Sequence, residues 1–350
     1  MAVPMSERRV DVVLAATYLA VATAMPLYNY YVSEDQYPYL ITFTALQLLG
    51  TSVATGIMNY MWHRRVSLKA TPHTWMGEDL VAKWLAYLPA ALIFSVNMSL
   101  NQSGLCKTSV TVHVLLKTTG ILWSVLFARV LNQEKVKNYT LITCALMLSG
   151  AVSVCLSVFF EYGAESSTFE GVLMTLGAAM LGPVYMSFTK KGMNKVQSVG
   201  IIKPHPSETT SLIMGTTGLG MILIGLVFEQ GAWQALVDIG SDWYVWFVLG
   251  SGICMTFLFK LTTLWLLTRQ SVTTVGIISE TKIVPQMALD VLFFHKYDLT
   301  VLMVSGTLLI TSGSLFFAYR KWQESLADKR RAREEEMPLT EAEGGTDREE

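Results

Sequence analysis

Long apolar segments recur along this chain and restrict its fold more than any other feature. A window of about 19 residues, the length that a helix needs to cross a membrane, detects ten of them. They cover residues 10–30, 38–62, 82–100, 109–130, 139–160, 170–189, 210–229, 243–267, 272–294 and 299–319. Of the 350 residues, 52% are hydrophobic and only 15% are charged, a composition too apolar for a soluble protein. The sequence therefore predicts an all-α polytopic membrane protein with ten transmembrane helices.

Basic residues are concentrated in alternate connections between these segments. Of the 26 lysines and arginines, 21 lie in one set of connections, at the segment ends that border these connections, or in the terminal segments. The opposite set holds only Lys107 and Lys296, and three lysines (Lys117, Lys260 and Lys282) lie well inside the segments. Because cytosolic loops carry an excess of positive charge, this asymmetry predicts an even number of spans with both termini in the cytosol.

The two ends of the chain differ in character. Residues 10–27 follow two arginines as a signal peptide would, but no small-residue cleavage site comes after them. We therefore interpret them as the first membrane helix, and we expect no organellar transit peptide. Residues 1–322 are predicted to form the ten-helix domain. Residues 323–350 are predicted to form a charged, largely disordered cytosolic tail, because they have almost nothing to bury.

Two related segments each place a lysine inside an apolar span. Residues 109–120 contain Lys117, and residues 271–282 end in Lys282. Each lysine is followed by a Val-Leu-Phe triplet, a short charged turn and an apolar helix with a Ser-Gly pair. Two halves of five helices each must have opposite orientations, since five is odd. The repeat thus predicts two inverted five-helix repeats, an arrangement in which the substrate binds at the membrane midplane between the halves.

The fourth span carries a polar stripe. His113, Lys117, Gly120 and Ser124 follow one another at intervals of three or four residues, so they share one helix face. A lysine near the centre of a membrane helix costs roughly 2.5–3.5 kcal/mol on insertion scales, and such a residue is usually functional. The alternative is that Lys117 pairs with an acid and only holds helices together.

The ninth span repeats this arrangement with Ser279, Lys282, Gln286 and Asp290. Pro285 lacks an amide proton and should kink the helix beside Lys282, freeing a backbone carbonyl. Glu280 faces away from Lys282 on a regular helix. We expect it either to pair with Lys260 or Lys117 or to bind a proton.

Charge and polar side chains indicate the class of ligand. Three intramembrane lysines exceed the two nearby acids by one charge, which favours an anionic, phosphorylated small molecule. Tyr28, Asn29 and Tyr185 are candidates for contacts with a base or a sugar. The four cysteines lack paired spacing, and no catalytic or phosphate-loop motif is present. We therefore expect no metal, no cofactor, no enzymatic activity and no nucleic-acid partner. Membrane lipid surrounds the chain, and the sequence leaves open assembly as a homodimer.

Several motifs resemble the nucleotide-sugar and triose-phosphate translocator group of the drug/metabolite transporter superfamily. They lie at residues 28–31 (Tyr-Asn-Tyr-Tyr), 37–47, 101, 109–112, 117, 271–273, 282 and 291–294. The resemblance implies ten helices in two inverted halves and strict exchange of a phosphorylated metabolite. It also implies that Lys117 and Lys282 bind the phosphate and that Thr111 and His113 lie beside them on the cavity wall.

Three positions depart from the family pattern: Tyr30, Ile121 and Ile283. Ile283 stands where plastid sugar-phosphate translocators have an arginine, so a bidentate phosphate contact is missing. We therefore expect a nucleotide sugar, carried into the Golgi or endoplasmic reticulum in exchange for a nucleoside monophosphate. The alternatives are a plastid-type sugar-phosphate/phosphate exchanger, a proton-coupled carrier of a non-phosphorylated metabolite that uses Glu280, and a non-transporting membrane scaffold.

Overall fold

The computed structural model of the chain describes residues 5–32, 37–66, 80–108, 110–162, 168–198, 206–238, 240, 243–282, 285 and 300–336. Helices account for most of these residues, and no strand is found among them. The helices are α1 (Met5–Tyr31), α2 (Leu40–Val66), α3 (Leu80–Lys107), α4 (Val110–Thr118), α5 (Gly120–Asn132), α6 (Asn138–Tyr162), α7 (Phe169–Ser198), α8 (Pro206–Phe228), α9 (Ala232–Asp238), α10 (Trp243–Arg269), α11 (Val272–Thr281) and α12 (Val301–Glu336).

Six of the described helices are long and apolar enough to cross a membrane. They comprise Leu40–Met61, Leu80–Lys107, Phe169–Ser198, Pro206–Phe228, Trp243–Arg269 and Val301–Glu324. The prediction of an all-helical, multi-pass membrane protein is thus confirmed for the described residues. The count of ten spans stays a prediction, because the other four segments do not meet the same criteria within the part of the chain that is described.

Both lysine-bearing segments are interrupted helices. The fourth predicted span is divided at Thr119, whose hydroxyl donates back to the carbonyl of Leu116 at 2.7 Å. The ninth predicted span begins with α11, which ends at Thr281, and Lys282 lies in the turn that follows. Thr281 precedes Pro285 by four residues, so its carbonyl has no amide proton to accept from that proline. A helix end at this position agrees with the kink that Pro285 predicts.

Three packed pairs of helices come from predicted segments that lie five apart along the chain. α2 packs on α8, α5 on α11, and α6 on α12. The contact of α3 with α7 is matched by that of α10 with α1, and the contact of α3 with α8 by that of α10 with α2. If each of the first five segments is replaced by the segment five places later, and the reverse, the pairs named here map onto one another.

Cross-contacts show which ends of the helices lie together. α1 and α10 run antiparallel, because Tyr28 bonds to Val248 whereas Tyr18 stacks on Phe259 with 5.3 Å between ring centroids. The start of α1 and the end of α10 thus share one end of the bundle. At this same end, the turn between α5 and α6 meets the part of α12 that is predicted to be cytosolic. We call it the terminal end, because both chain termini are predicted to lie on this side. The other is the distal end.

Close packing of α6 on α12 depends on a glycine, and this leads to a first prediction. A Cβ atom at Gly150 would lie 2.5 Å from the carbonyl oxygen of Gly306 and 2.8 Å from the side chain of Ile310. Since backbone cannot yield easily, we expect Gly150→Ala to destabilise the protein by about 1–3 kcal/mol and lower its melting temperature in detergent.

Gly250 supplies the matched control. It is also helical, but a Cβ atom there meets no other atom within 4 Å. Gly250→Ala should therefore leave the melting temperature unchanged or raise it, because alanine is the better helix former by about 1 kcal/mol. Equal melting temperatures for the two variants would show that α6 and α12 are not held at this distance.

Candidate functional site: a lysine-lined cavity inside the bundle

Two adjoining cavities lie within the described bundle and share part of their wall. Their empty volumes, counted together with the space open to solvent, are about 620 and 720 Å³. The smaller opens toward the distal ends of α1 and α3, and we call it the distal cavity. The larger, the central cavity, lies among the middle parts of α1, α3, α7 and α10. Five residues line both cavities: Met98, Lys117, Phe259, Lys260 and Lys282.

The three intramembrane lysines thus meet where the two cavities join. Lys117 comes from the last turn of α4, Lys260 from α10, and Lys282 from the turn after α11. They lie far apart in the sequence, and only the packing of three helices brings them together. Among the described residues that line the cavities, no side chain is a carboxylate. The described part of this lining is therefore positive, which suits an anion.

Lys117 is oriented by a neighbouring amide. Its Nζ donates to the Oδ1 atom of Asn101 on α3 at 2.5 Å. One turn earlier on α4, His113 is buried, and its Nδ1 lies 3.0 Å from the hydroxyl of Thr175 on α7. His113 lines the distal cavity, whereas Gly120 and Ser124 line the central one. The polar stripe predicted for the fourth span therefore runs along the walls of both cavities.

The ninth span contributes fewer described groups. Ser279 is buried and lines the central cavity beside Lys282. The side chains of Thr111 and Glu280, together with Gln286 and Asp290, lie outside the described residues. Their predicted roles, including a pairing of Glu280 with Lys260 or Lys117, stay predictions.

Lys260 lies among aromatic rings. Its Nζ is 4.2 Å from the ring centroid of Phe94 and 4.7 Å from that of Phe259. Phe94 in turn stacks on Tyr185 with 4.1 Å between centroids, and Phe259 stacks on Tyr18. Contacts of a cation with ring faces contribute about 0.5–2 kcal/mol each. Removing an ammonium group from water costs several kcal/mol, so the rings offset only part of that cost.

Two predicted binding residues present buried polar atoms that lack a hydrogen-bond partner among the described residues. They are the Oδ1 of Asn29 in the distal cavity and the hydroxyl of Tyr185 in the central cavity. Each such atom costs roughly 1–3 kcal/mol unless something else satisfies it. Asn29 lines the distal cavity and Tyr185 lines the central one, so each cavity wall contains one residue with such a buried polar atom.

Tyr28 is placed differently from Asn29. Its hydroxyl donates to the carbonyl of Val248 and lies 3.4 Å from the hydroxyl of Ser251, which joins α1 to α10. Tyr28 does not line either cavity. The structure therefore assigns it a helix-joining contact, and its predicted role in binding gains no support from the cavity walls.

The contribution of α3 was largely missed by the reading of the sequence. Phe94, Asn97 and Asn101 all line the cavities, and Asn97 Nδ2 donates to the carbonyl of Ala178 on α7 at 2.6 Å. These residues recur at intervals of three or four, so their common face could have been recognised as a polar stripe. No charged residue marks that stripe, and the sequence indicates Asn101 only through the family resemblance and as the first residue of a glycosylation sequon at 101–103.

Carboxylates connect the two sets of helices at both ends of the bundle. At the distal end Glu229, just after α8, accepts from the backbone amides of Ile41 and Thr42 at the start of α2, both at 2.8 Å. At the terminal end Glu134, just after α5, accepts from the amide of Val272 at the start of α11 at 3.0 Å and from the hydroxyl of Thr273. Each acid caps a helix that is distant in the sequence and complements its dipole.

Glu134 leads to a second prediction. Removing a cap costs about 1 kcal/mol, and a shift of this size changes a conformational equilibrium roughly fivefold. We therefore expect Glu134→Ala to separate α5 from α11 more often and to expose the central cavity at the terminal end. A cysteine placed at Ser279 in a background without other cysteines should then react several times faster with a water-soluble maleimide.

The control for this experiment is Glu170→Ala. Glu170 forms an exposed ion pair with Lys107 at the distal end, with 2.6 Å between Nζ and Oε1. Its loss should leave the reactivity at position 279 unchanged. Equal reactivity in Glu134→Ala and the parent would show that this cap does not close the terminal end.

Comparisons with known proteins establish the fold only. No family model matches the chain, and no curated protein matches it. A solved structure described as "Crystal structure of protein" is similar, with 18% sequence identity and a TM-score of 0.61. The alignment covers 88% of this chain and 96% of that one. The chain therefore shares its overall architecture with a protein of known structure over nearly its whole length.

Proposed function

We propose that this protein is an alternating-access carrier that exchanges organic phosphates, with a nucleotide sugar as substrate and a nucleoside monophosphate as counter-substrate. The observation that carries the proposal is the meeting of Lys117 and Lys282 at the junction of two cavities inside an apolar bundle. Lysines in such a position are costly and are typical of substrate pathways.

Charge selects the class of substrate. The described lining of the cavities contains three lysines and no carboxylate, so a cation would be repelled and a neutral solute would leave the charge unbalanced. A phosphate group offers several strong acceptors for ammonium donors, and hydrogen bonds between charged groups are about twice as strong as neutral ones. These features favour a phosphorylated metabolite over the non-phosphorylated solute of a proton-coupled carrier.

The two cavities differ in chemistry, and this supports a nucleotide sugar over a bare sugar phosphate. Near the distal cavity the polar groups are Asn29, Asn101 and His113, which suit the hydroxyl groups of a sugar. Around the central cavity lie the rings of Tyr18, Phe94 and Tyr185, which suit a planar base. A nucleotide sugar has its phosphates between these two parts. A small sugar phosphate would fill only one side of the lysines.

The packing pattern supports alternating access. The helix neighbours are unchanged when the first and last five segments are exchanged, which is what two inverted five-helix repeats would produce. In such carriers the halves rock about a central site, so that it opens first to one side and then to the other. The caps formed by Glu134 and Glu229 lie at opposite ends and join helices of different halves. This plan, like the lysine motifs, resembles what is expected of the nucleotide-sugar translocator group.

Orientation and location follow from the proposal. Positive charge is concentrated in the connections on the same side as the chain termini, which favours cytosolic termini. Import of a nucleotide sugar favours the Golgi or endoplasmic reticulum membrane. The charge of the site also accounts for obligate exchange. An alternating-access carrier passes through an occluded state, and an empty carrier would enclose three lysines without an anion in that state. The carrier therefore changes sides only with a substrate bound.

Purified full-length protein tests the proposal in two steps. A thermal-shift screen over nucleotide sugars, nucleoside monophosphates and sugar phosphates identifies the ligand class. Vesicles reconstituted with the protein and preloaded with the matching monophosphate should then take up labelled nucleotide sugar many times faster than vesicles without it. Equal uptake in both kinds of vesicle would exclude obligate exchange, and stabilisation by sugar phosphates alone would favour the plastid-type alternative.

A further inference from the structure

We propose that Lys260 is a third substrate-binding cation, which contacts a second phosphate group and makes the site prefer diphosphates to monophosphates. The inference rests on the proposed function, because it assigns a further residue to the same site. Sequence motifs direct attention to Lys117 and Lys282, and Lys260 belongs to neither of the related segments. Its assignment comes from the structure.

Position is the first argument. Lys260 is 4% exposed and is carried by α10, a helix different from those that carry the other two lysines. It lines both cavities, as Lys117 and Lys282 do. The three lysines therefore reach the junction from three different segments of the bundle. One phosphate group can be contacted by two of these lysines, and a pair of linked phosphates makes use of the third.

The surroundings of Lys260 are the second argument. Among the described residues its Nζ has no hydrogen bond and no ion pair, and its contacts are the faces of Phe94 and Phe259. By contrast, the Nζ of Lys117 has a directed hydrogen bond to Asn101. Ring faces are weaker partners for a buried ammonium group than an anion is. Lys260 therefore gains most from an anionic ligand that enters the junction.

The same rings give Lys260 a defined place before it meets a ligand. Phe94 is held by stacking on Tyr185, and Phe259 is held by stacking on Tyr18. A lysine whose ammonium group already lies near two supported rings loses little additional freedom when it turns toward a phosphate.

Isothermal titration of the purified full-length protein with the four ribonucleoside monophosphates and their diphosphates tests the proposal. For the base that binds, we expect the parent to bind the diphosphate at least about tenfold more tightly than the monophosphate, as one added charged hydrogen bond would produce. Lys260→Gln should reduce the ratio of the diphosphate affinity to the monophosphate affinity to about one, while it retains most of the affinity for the monophosphate. Lys260→Arg should keep the preference, and Lys107→Gln, which removes an exposed lysine outside the cavities, should change neither affinity.

Other outcomes separate the possible errors. If Lys260→Gln and Lys260→Met both keep the diphosphate preference, or weaken both ligands equally, Lys260 does not select the second phosphate. If both variants are unstable and Glu280→Gln in the same chain restores stability, Lys260 is instead the partner of Glu280, and the proposal is wrong. If the parent binds no nucleotide at all, the proposed function itself fails.

Discussion

Replacing Lys282 with alanine is expected to reduce exchange of the phosphorylated substrate at least about 100-fold without unfolding the bundle. Lys282 follows the end of α11 and is half-buried at the junction of the cavities. Truncating one partner of a buried charge pair typically costs 2–5 kcal/mol, and each 1.4 kcal/mol is a factor of ten. The loss should be in binding, because no described packing contact depends on this side chain.

The measurement is exchange in reconstituted vesicles, together with the melting temperature of each variant in detergent. Lys107→Ala is the matched control, because Lys107 forms an exposed ion pair with Glu170 and does not line either cavity. It should exchange at the parental rate. If Lys282→Ala also keeps most of its exchange activity, the two-lysine site is not where the substrate binds.

Replacing Lys83 with alanine is expected to have the largest effect on stability. Its Nζ lies 2.6 Å from Oε1 of Glu208, and the two side chains are only 6% and 5% exposed. The pair connects α3 to the first turn of α8, where the carboxylate also complements the helix dipole. Removing one member leaves an uncompensated buried charge, at a cost of about 3–5 kcal/mol.

A pair of variants separates the buried charge from other effects. Lys83→Met alone should lower the melting temperature strongly, as Lys83→Ala does. Adding Glu208→Gln should recover most of that loss, because the double variant buries no charge. If the double variant melts as low as the single ones, packing of the two long side chains, and not their charges, stabilises this contact.

Much of this molecule follows from local patterns in the chain. Apolar segments of membrane-spanning length predict the helices, because a backbone in lipid must satisfy its own hydrogen bonds. Spacing at three or four residues places His113, Lys117 and Ser124 on one face, and the structure puts all three on cavity walls. Pro285 predicts a helix interruption near Lys282, and α11 ends at Thr281, four residues before that proline.

Other features depend on contacts between distant segments. Periodicity could not show that Phe94 and Phe259 flank Lys260, because both phenylalanines look like ordinary core residues in an apolar helix. Periodicity also could not show that Asn29 and Tyr28 have different surroundings. These residues are adjacent, yet Asn29 lines the distal cavity whereas Tyr28 bonds to Val248.

Lysines in apolar spans predict a positive site within a membrane bundle, since the cost of burying charge is a property of the residue itself. The structure places these lysines on cavity walls. Which lysines meet, and between which rings and amides, was decided only by the tertiary structure. Lys117, Lys260 and Lys282 come together because α4, α10 and α11 pack around one cavity. Distances between side chains on different helices depend on that packing and leave no periodic signal along the chain.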